Sequence, residues 1–211
     1  MADFSDLRNA ILNGDEKLAV QQIQAALGQG ANPSELIAEW MIPAMDEVGR
    51  LFECQEYFVP ELLLSGRAMK AALEILRPLL AASGARPTGR VVLGTVKGDL
   101  HDIGKNLVAS MLEGAGFEVF DLGVDVPAAK FAEAVAKQNP DIVALSALLT
   151  VTMPEMKKTI EALRQAGTRS QVKVLIGGAP VTQSFAKEIG ADGYGDNAGS
   201  AVTVARSLLG K

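Results

Sequence analysis

Up to about residue 82, apolar residues return every three or four positions, and no stretch shows the period of two that a half-buried strand needs. Leu36, Trp40 and Ala44 run beside Ile37, Met41, Met45, Val48 and Phe52 as one wide face of a helix opened by "NPSE", with Asn32 or Ser34 able to cap it. Leu62, Leu63, Met69, Leu73, Leu76 and Leu80 mark a second long helix after Pro60. With two shorter helices near 4–12 and 15–27, the pattern predicts a four-helix unit. The small, breaker-rich "ASGARPTG" then ends it.

Beyond that break the period changes. "RVVLGTV", "FEVFDLG", "DIVALSA" and "VKVLIGG" are short β-branched runs, each ending in Gly or a small residue and followed by a helical stretch; "ADGYG" is a fifth, weaker run. Alternating β and α predicts a parallel sheet with helices on both faces, with ligands at the carboxyl ends of its strands. The expected division is a helical domain at 1–82, a linker at 83–89 and an α/β domain at 90–211.

Composition narrows the function more than the fold. The 211 residues are 48% hydrophobic and 21% charged, as in a globular protein, and the net charge of −5 argues against a nucleic-acid surface. No segment approaches ~18 uninterrupted apolar residues and the start lacks a signal-like apolar stretch, so the expectation is a cytoplasmic protein with no membrane partner. One cysteine, Cys54, and one histidine, His101, leave neither an internal disulfide nor a zinc site built from those ligands alone.

The chemistry concentrates in "GDLHDIGKN", residues 98–106. Five residues separate Gly98 from Gly104, Asn106 stands where a nucleotide loop has Ser or Thr, and Asp99 and Asp102 put carboxylates where phosphates need donors. The loop follows the first strand, at the edge where a ligand is expected. Asp99 is placed to take one ring N–H of His101, which fixes the tautomer and raises basicity as metal-bound histidines require. With no further Cys or His, a metal there must bring most of its own ligands, as in a macrocycle. Gly104 permits close approach by something bulky, Asp102 is read as a helix N-cap, and Gly94 and Gly98 as turn residues. At other strand ends stand the hydroxyls of Ser146, Thr150 and Thr152, and a slot without side chains at Gly177 and Gly178.

Asp99, His101 and Gly104 as D-x-H-x-x-G, Ser146 and Leu148 as S-x-L, and the Gly177-Gly178 pair together resemble the signature of cobalamin-binding Rossmann-like (flavodoxin-like) domains. The stretch "VGRLFECQEYFVPELLLSGRAMKAALEILRPLL" is similar to the helical cap of methionine synthase and of corrinoid proteins of anaerobic methyltransferase systems. The resemblance implies a free-standing carrier of a methyl group on the cobalt of cobalamin or a related corrinoid, not catalytic alone, with a methoxyaromatic or methylamine-type donor. Its partners would be a substrate-specific methyltransferase, an acceptor methyltransferase and a reductive activator. His101 would be the lower cobalt ligand, held by Asp99, with Thr152 in the third relay position. Ser146, Leu148, Thr150, Gly177 and Gly178 would receive the nucleotide tail, with Gly98, Asp102 and Gly104 in the ligand loop. Tyr194, Asn197 and Ala198 match the last loop near the tail; Phe52 and Val59 match cap residues over the methyl face. Methyl-Co(III) favours a lower donor and Co(I) none, so the Asp–His pair would couple protonation to redox state. The alternative, the small cobalamin subunit of a carbon-skeleton mutase, shares D-x-H-x-x-G but lacks the helical cap.

Overall fold

The structure, a computed structural model, describes residues 3–83 and 86–211, so residues 84 and 85 of the expected linker lie outside it. The chain forms two compact units. One takes the chain up to Thr88 together with Glu113–Gly116, and the other holds Gly89–Leu112 and Phe117–Lys211.

The first unit is helical: α1 (Ser5–Leu12), α2 (Glu16–Gly28), a turn of helix α3 (Pro33–Glu35), a π-helical turn (Leu36–Met41), α4 (Ile42–Glu53) and α5 (Val59–Ser83). The helix expected from "NPSE" is thus one continuous run over 33–53, and Asn32 caps it by accepting the Ser34 N–H at 2.9 Å. The sequence reading missed the π turn. Pro43 has no N–H for the Glu39 carbonyl and its ring crowds that carbonyl, so just ahead of it the ladder widens and the Ile42 N–H reaches back to Ile37. Leu7, Ile11, Ile23, Leu36, Met41, Met45, Leu62, Met69 and Leu76 are fully buried in this unit. The buried Ser65 hydroxyl donates to the Leu12 carbonyl at 3.0 Å, satisfying an orphan acceptor at the end of α1.

The second unit alternates strand and helix: β1 (Arg90–Thr95), α6 (Ile103–Gly114), β2 (Glu118–Asp121), α7 (Ala128–Gln138), β3 (Ile142–Ser146), α8 (Met153–Gln165), β4 (Lys173–Gly177), α9 (Gln183–Ile189), β5 (Gly193–Gly195) and α10 (Ala198–Leu208). All pairings are parallel, in the order β2-β1-β3-β4-β5, with Val91 opposite both Val119 and Ile142, Ile142 opposite Lys173, and Leu175 opposite Gly193. The order reverses between β1 and β3, and there the loops leaving the two strands open a crevice at the carboxyl edge.

Strand residues alternate between the two faces. Val92, Val143, Leu145, Val174 and Ile176 pack with Phe131 and Val135 of α7, Met156, Ile160 and Leu163 of α8, and Ile189 of α9. The opposite face carries the buried Val91, Leu93, Ile142, Ala144 and Leu175, with α10 against Gly193 and Leu175. Gly94 is not the turn residue expected of it. It lies inside β1, and a Cβ there would sit 2.9 Å from the Phe131 ring, so the missing side chain makes the seat of the largest fully buried residue.

Phe131→Ala therefore empties a ring-sized space beside a glycine that cannot fill it, and is expected to cost about 3–5 kcal/mol. Equilibrium urea unfolding of the unliganded protein checks this; a change below about 1 kcal/mol would show that the α7 seat collapses freely.

Candidate functional site

Asp99 is fully buried in the loop after β1, and its carboxylate is surrounded by donors from two loops. Oδ1 lies 2.7 Å from His101 Nδ1 and accepts the His101 N–H at 3.1 Å. Oδ2 accepts the Leu148 N–H at 2.8 Å, the Leu149 N–H at 3.2 Å and the Thr152 hydroxyl at 2.7 Å. Burial alone would raise the Asp99 pKa. The hydrogen bonds from Thr152, His101 and the Leu148 N–H outweigh it and hold the carboxyl well below the usual carboxylate range. An ionised carboxylate only accepts, so the shared proton sits on Nδ1 and leaves the neutral ring's lone pair on Nε2. The His101 side chain is half exposed, at 51%, and Nε2 has no partner among the described residues.

The expected residues thus fall into distinct groups. Asp99, His101, Leu148 and Thr152 converge on one carboxylate. Gly98 (φ +81°) precedes them in the turn. Asp102 stands just before α6 in the expected N-cap position, its carbonyl accepting the Asn106 N–H at 2.7 Å, while its carboxylate accepts the Asn106 side-chain amide at 3.1 Å. Gly104, in the first turn of α6, has nothing within 4 Å of where a Cβ would stand. Ser146 ends β3 opposite Thr95 and Gly177, half-buried, and Thr150 is exposed in the same exit loop. Further along the edge, Tyr194 in β5 packs half-buried on the sheet core, Ala198 is buried at the start of α10, and Asn197 caps that helix in a reciprocal box with Ser200. Phe52 and Val59 belong to the helical unit, where Phe52 is half-buried and Val59 exposed, so neither is a core residue of that unit.

The glycine pair also answers to the protein's own backbone. A Cβ on Gly178 (φ +130°) would stand 1.9 Å from the Ala147 carbonyl oxygen, and one on Gly177 would stand 2.8 Å from the Gly195 carbonyl oxygen. These glycines are demanded first by the protein's own backbone, so a bulky side chain at 178 would disturb the fold as well as any ligand.

Sequence reasoning also missed an apolar fringe. Leu100 and Val151, at 71 and 80% exposure, with the less exposed Leu148 and Leu149, lie in the two loops that carry His101 and Thr152, and Ile103, at 70%, opens α6 beside them. They interrupt no periodic pattern, and only the fold brings the two loops together. Leu149 itself, as a donor to Asp99, was likewise invisible.

A parallel sheet with a carboxylate-held imidazole and an apolar fringe at its switch point is a ligand-binding α/β unit. The B12 binding domain family matches residues 89–203, and a second family, also described as a B12 binding domain, matches residues 4–77. The chain is 43% identical to dimethylamine corrinoid protein 1 of Methanosarcina acetivorans, over 98% of this chain and 97% of that protein. It is 44% identical to trimethylamine corrinoid protein 1 of the same organism, over 96% and 94%. Of solved structures, the methanol:cobalamin methyltransferase complex MtaBC from Methanosarcina barkeri contains a chain 33% identical, with a TM-score of 0.87, covering 99% of this chain and 80% of that one. The chain belongs to the B12-binding corrinoid proteins.

The residues fit a corrinoid. Among the described residues no group of three or more His, Cys, Asp or Glu could hold a metal ion, so a cation at Nε2 brings its other ligands, as a corrinoid's cobalt does. The open space at Gly104 and the apolar fringe suit a broad ring edge. Among the described residues, no helix is long and apolar enough to cross a membrane.

Three substitutions test this arrangement, the first in the unliganded protein. A lowered carboxyl contributes stability that is fully present above its unfolded value, near 4 for Asp, and that is lost as pH falls through the folded value. Asp99→Asn, which faces N–H donors with an amide, should cost about 1–3 kcal/mol at neutral pH. It should also flatten the loss of unfolding free energy below about pH 4; parallel pH profiles for variant and wild type would contradict this. Gly178→Ala should lower the melting temperature without any ligand present. Gly104→Ala should leave it unchanged or higher, while weakening corrinoid binding in a titration.

Proposed function

We propose that the protein carries a methyl group on a corrinoid held at the β1/β3 edge, between a substrate-specific methyltransferase and an acceptor methyltransferase, with a reductive activator restoring the carrier. A methylated amine is the favoured donor class, since the relatives at 43 and 44% identity are named for dimethylamine and trimethylamine. The similarity to a chain of a methyltransferase complex supports docking to such an enzyme.

The observation that carries the reading is His101, with Nδ1 tied to Asp99 and Nε2 free. When bound, a corrinoid would supply the cobalt for methyl transfer. This chain's residues do the holding. His101 would hold the cobalt through Nε2, with Asp99 fixing the ring and stabilising positive charge on it. Leu148, Leu149 and Thr152 keep Asp99 ionised by pointing donors at Oδ2. Gly98, Asp102 and Gly104 shape the loop, and Ser146, Thr150, Gly177, Gly178, Tyr194, Asn197 and Ala198 extend the tail's edge from β3 to β5. Phe52 and Val59, available at the surface of the helical unit, are proposed to protect the methyl face.

The test is direct because the chain has one histidine. Loaded with cobalamin and reduced to Co(II), the protein should show one nitrogen coupled to cobalt in its electron paramagnetic resonance spectrum. That splitting should change from three lines to two on labelling histidine with nitrogen-15. A pattern indifferent to the label assigns the lower position to benzimidazole and refutes the reading.

A further inference from the structure

The β2–α7 turn makes contacts that the assignment of the site leaves unexplained. Asp125 has φ +51°, a left-handed conformation uncommon for a residue with a side chain. Its carboxylate accepts the Gly98 N–H at 2.7 Å, and its own N–H donates to the Asp99 carbonyl at 3.0 Å. One residue thus closes on both sides of the Gly98–Asp99 peptide. Around it, the Val126 N–H donates to the Thr95 carbonyl and the Thr95 N–H to the Gly123 carbonyl, each at 3.0 Å. The buried Thr95 hydroxyl donates to the His101 carbonyl at 2.9 Å. At the other end of the loop, the buried Lys105 ammonium is paired with Asp121, the last residue of β2, and bonds the Asn106 side chain at 2.6 Å. Residues 121 and 125 therefore grip the His101 segment before and after the ring.

We infer that Asp125 is a positioning residue for His101, and that the β2–α7 turn is a clasp that fixes the conformation in which the ring meets Asp99 with Nε2 outward. This rests on the reading of His101 as the lower ligand, and it adds how the ligand loop is held. Gly98 is itself left-handed at φ +81°, so the loop has no regular secondary structure to enforce its path, and its order must come from such cross-loop bonds.

Two properties of Asp125 can be separated by substitution. Asn tolerates the left-handed region and keeps an acceptor oxygen; Gly tolerates it and has no acceptor. Asp125→Asn should therefore behave as wild type, while Asp125→Gly should lose the bond to the Gly98 N–H, and with it one side of the clasp, without backbone strain. In the unliganded protein labelled with nitrogen-15 histidine, the single ring should show a slowly exchanging Nδ1 proton in wild type and Asp125→Asn. In Asp125→Gly, exchange of that proton and of the Gly98 amide should quicken about fivefold to tenfold, the population change that one net hydrogen bond commands. In the cobalamin-loaded Co(II) form, the fraction showing histidine-nitrogen coupling should fall in Asp125→Gly and be retained in Asp125→Asn. Wild-type exchange and coupling in Asp125→Gly would overturn the inference. So would equal losses in Asp125→Asn and Asp125→Gly. If wild type itself shows no histidine coupling, the lower-ligand reading fails, and the exchange rates of the unliganded variants still decide for or against the clasp.

Discussion

A carboxylate with no access to solvent must find its hydrogen-bond donors inside the protein, and Asp99 finds five of them, on the loops leaving β1 and β3. An unpaired charge at that depth would cost more than the site could sustain, so the two loops are obliged to meet. Their meeting sets the ring of His101, orders residues 147–152 before α8, and brings the apolar fringe of both loops to one edge. The site is thus organised from its least visible group outward.

The sheet supplies the frame for that meeting. β1 and β3 are neighbours only because the strand order reverses between them, and parallel pairing places the ends of both strands at the same edge, with Thr95 opposite Ser146. Beneath the edge, Phe131 packs where Gly94 leaves room, and beside it Gly178 passes the Ala147 carbonyl at a distance that no side chain would allow. A rigid, closely packed base therefore carries loops of irregular path. This division suits the proposed holding of a corrinoid at His101.

The chain has one histidine, and its other buried polar side chains are bonded within the protein where their partners are seen, as with Lys105 to Asp121 and Ser65 to Leu12. What it contributes is placement: one nitrogen, one acceptor behind it and space in front. That arrangement agrees with membership of the B12-binding corrinoid proteins.

Much of this was legible in the sequence. The change of period near residue 82 separated helices from strands, all five strands fell on the predicted runs, and the pairing of Asp99 with His101 followed from a separation of two residues in an irregular segment. Local pattern suffices for such features because they depend on neighbours in the chain. Other features depend on residues far apart. The Leu148 and Leu149 N–H groups reach Asp99 across about fifty positions, and Asp125 reaches Gly98 across 27. Gly94 and Gly178 read as turn and slot, yet they answer to Phe131 and to the Ala147 carbonyl, contacts that exist only once the sheet has formed. The sequence by itself determined the order of helices and strands and the pairing of Asp99 with His101. The tertiary structure alone decided which backbone and side-chain groups hold them, because a hydrogen bond or a van der Waals clash is a statement about distance in space.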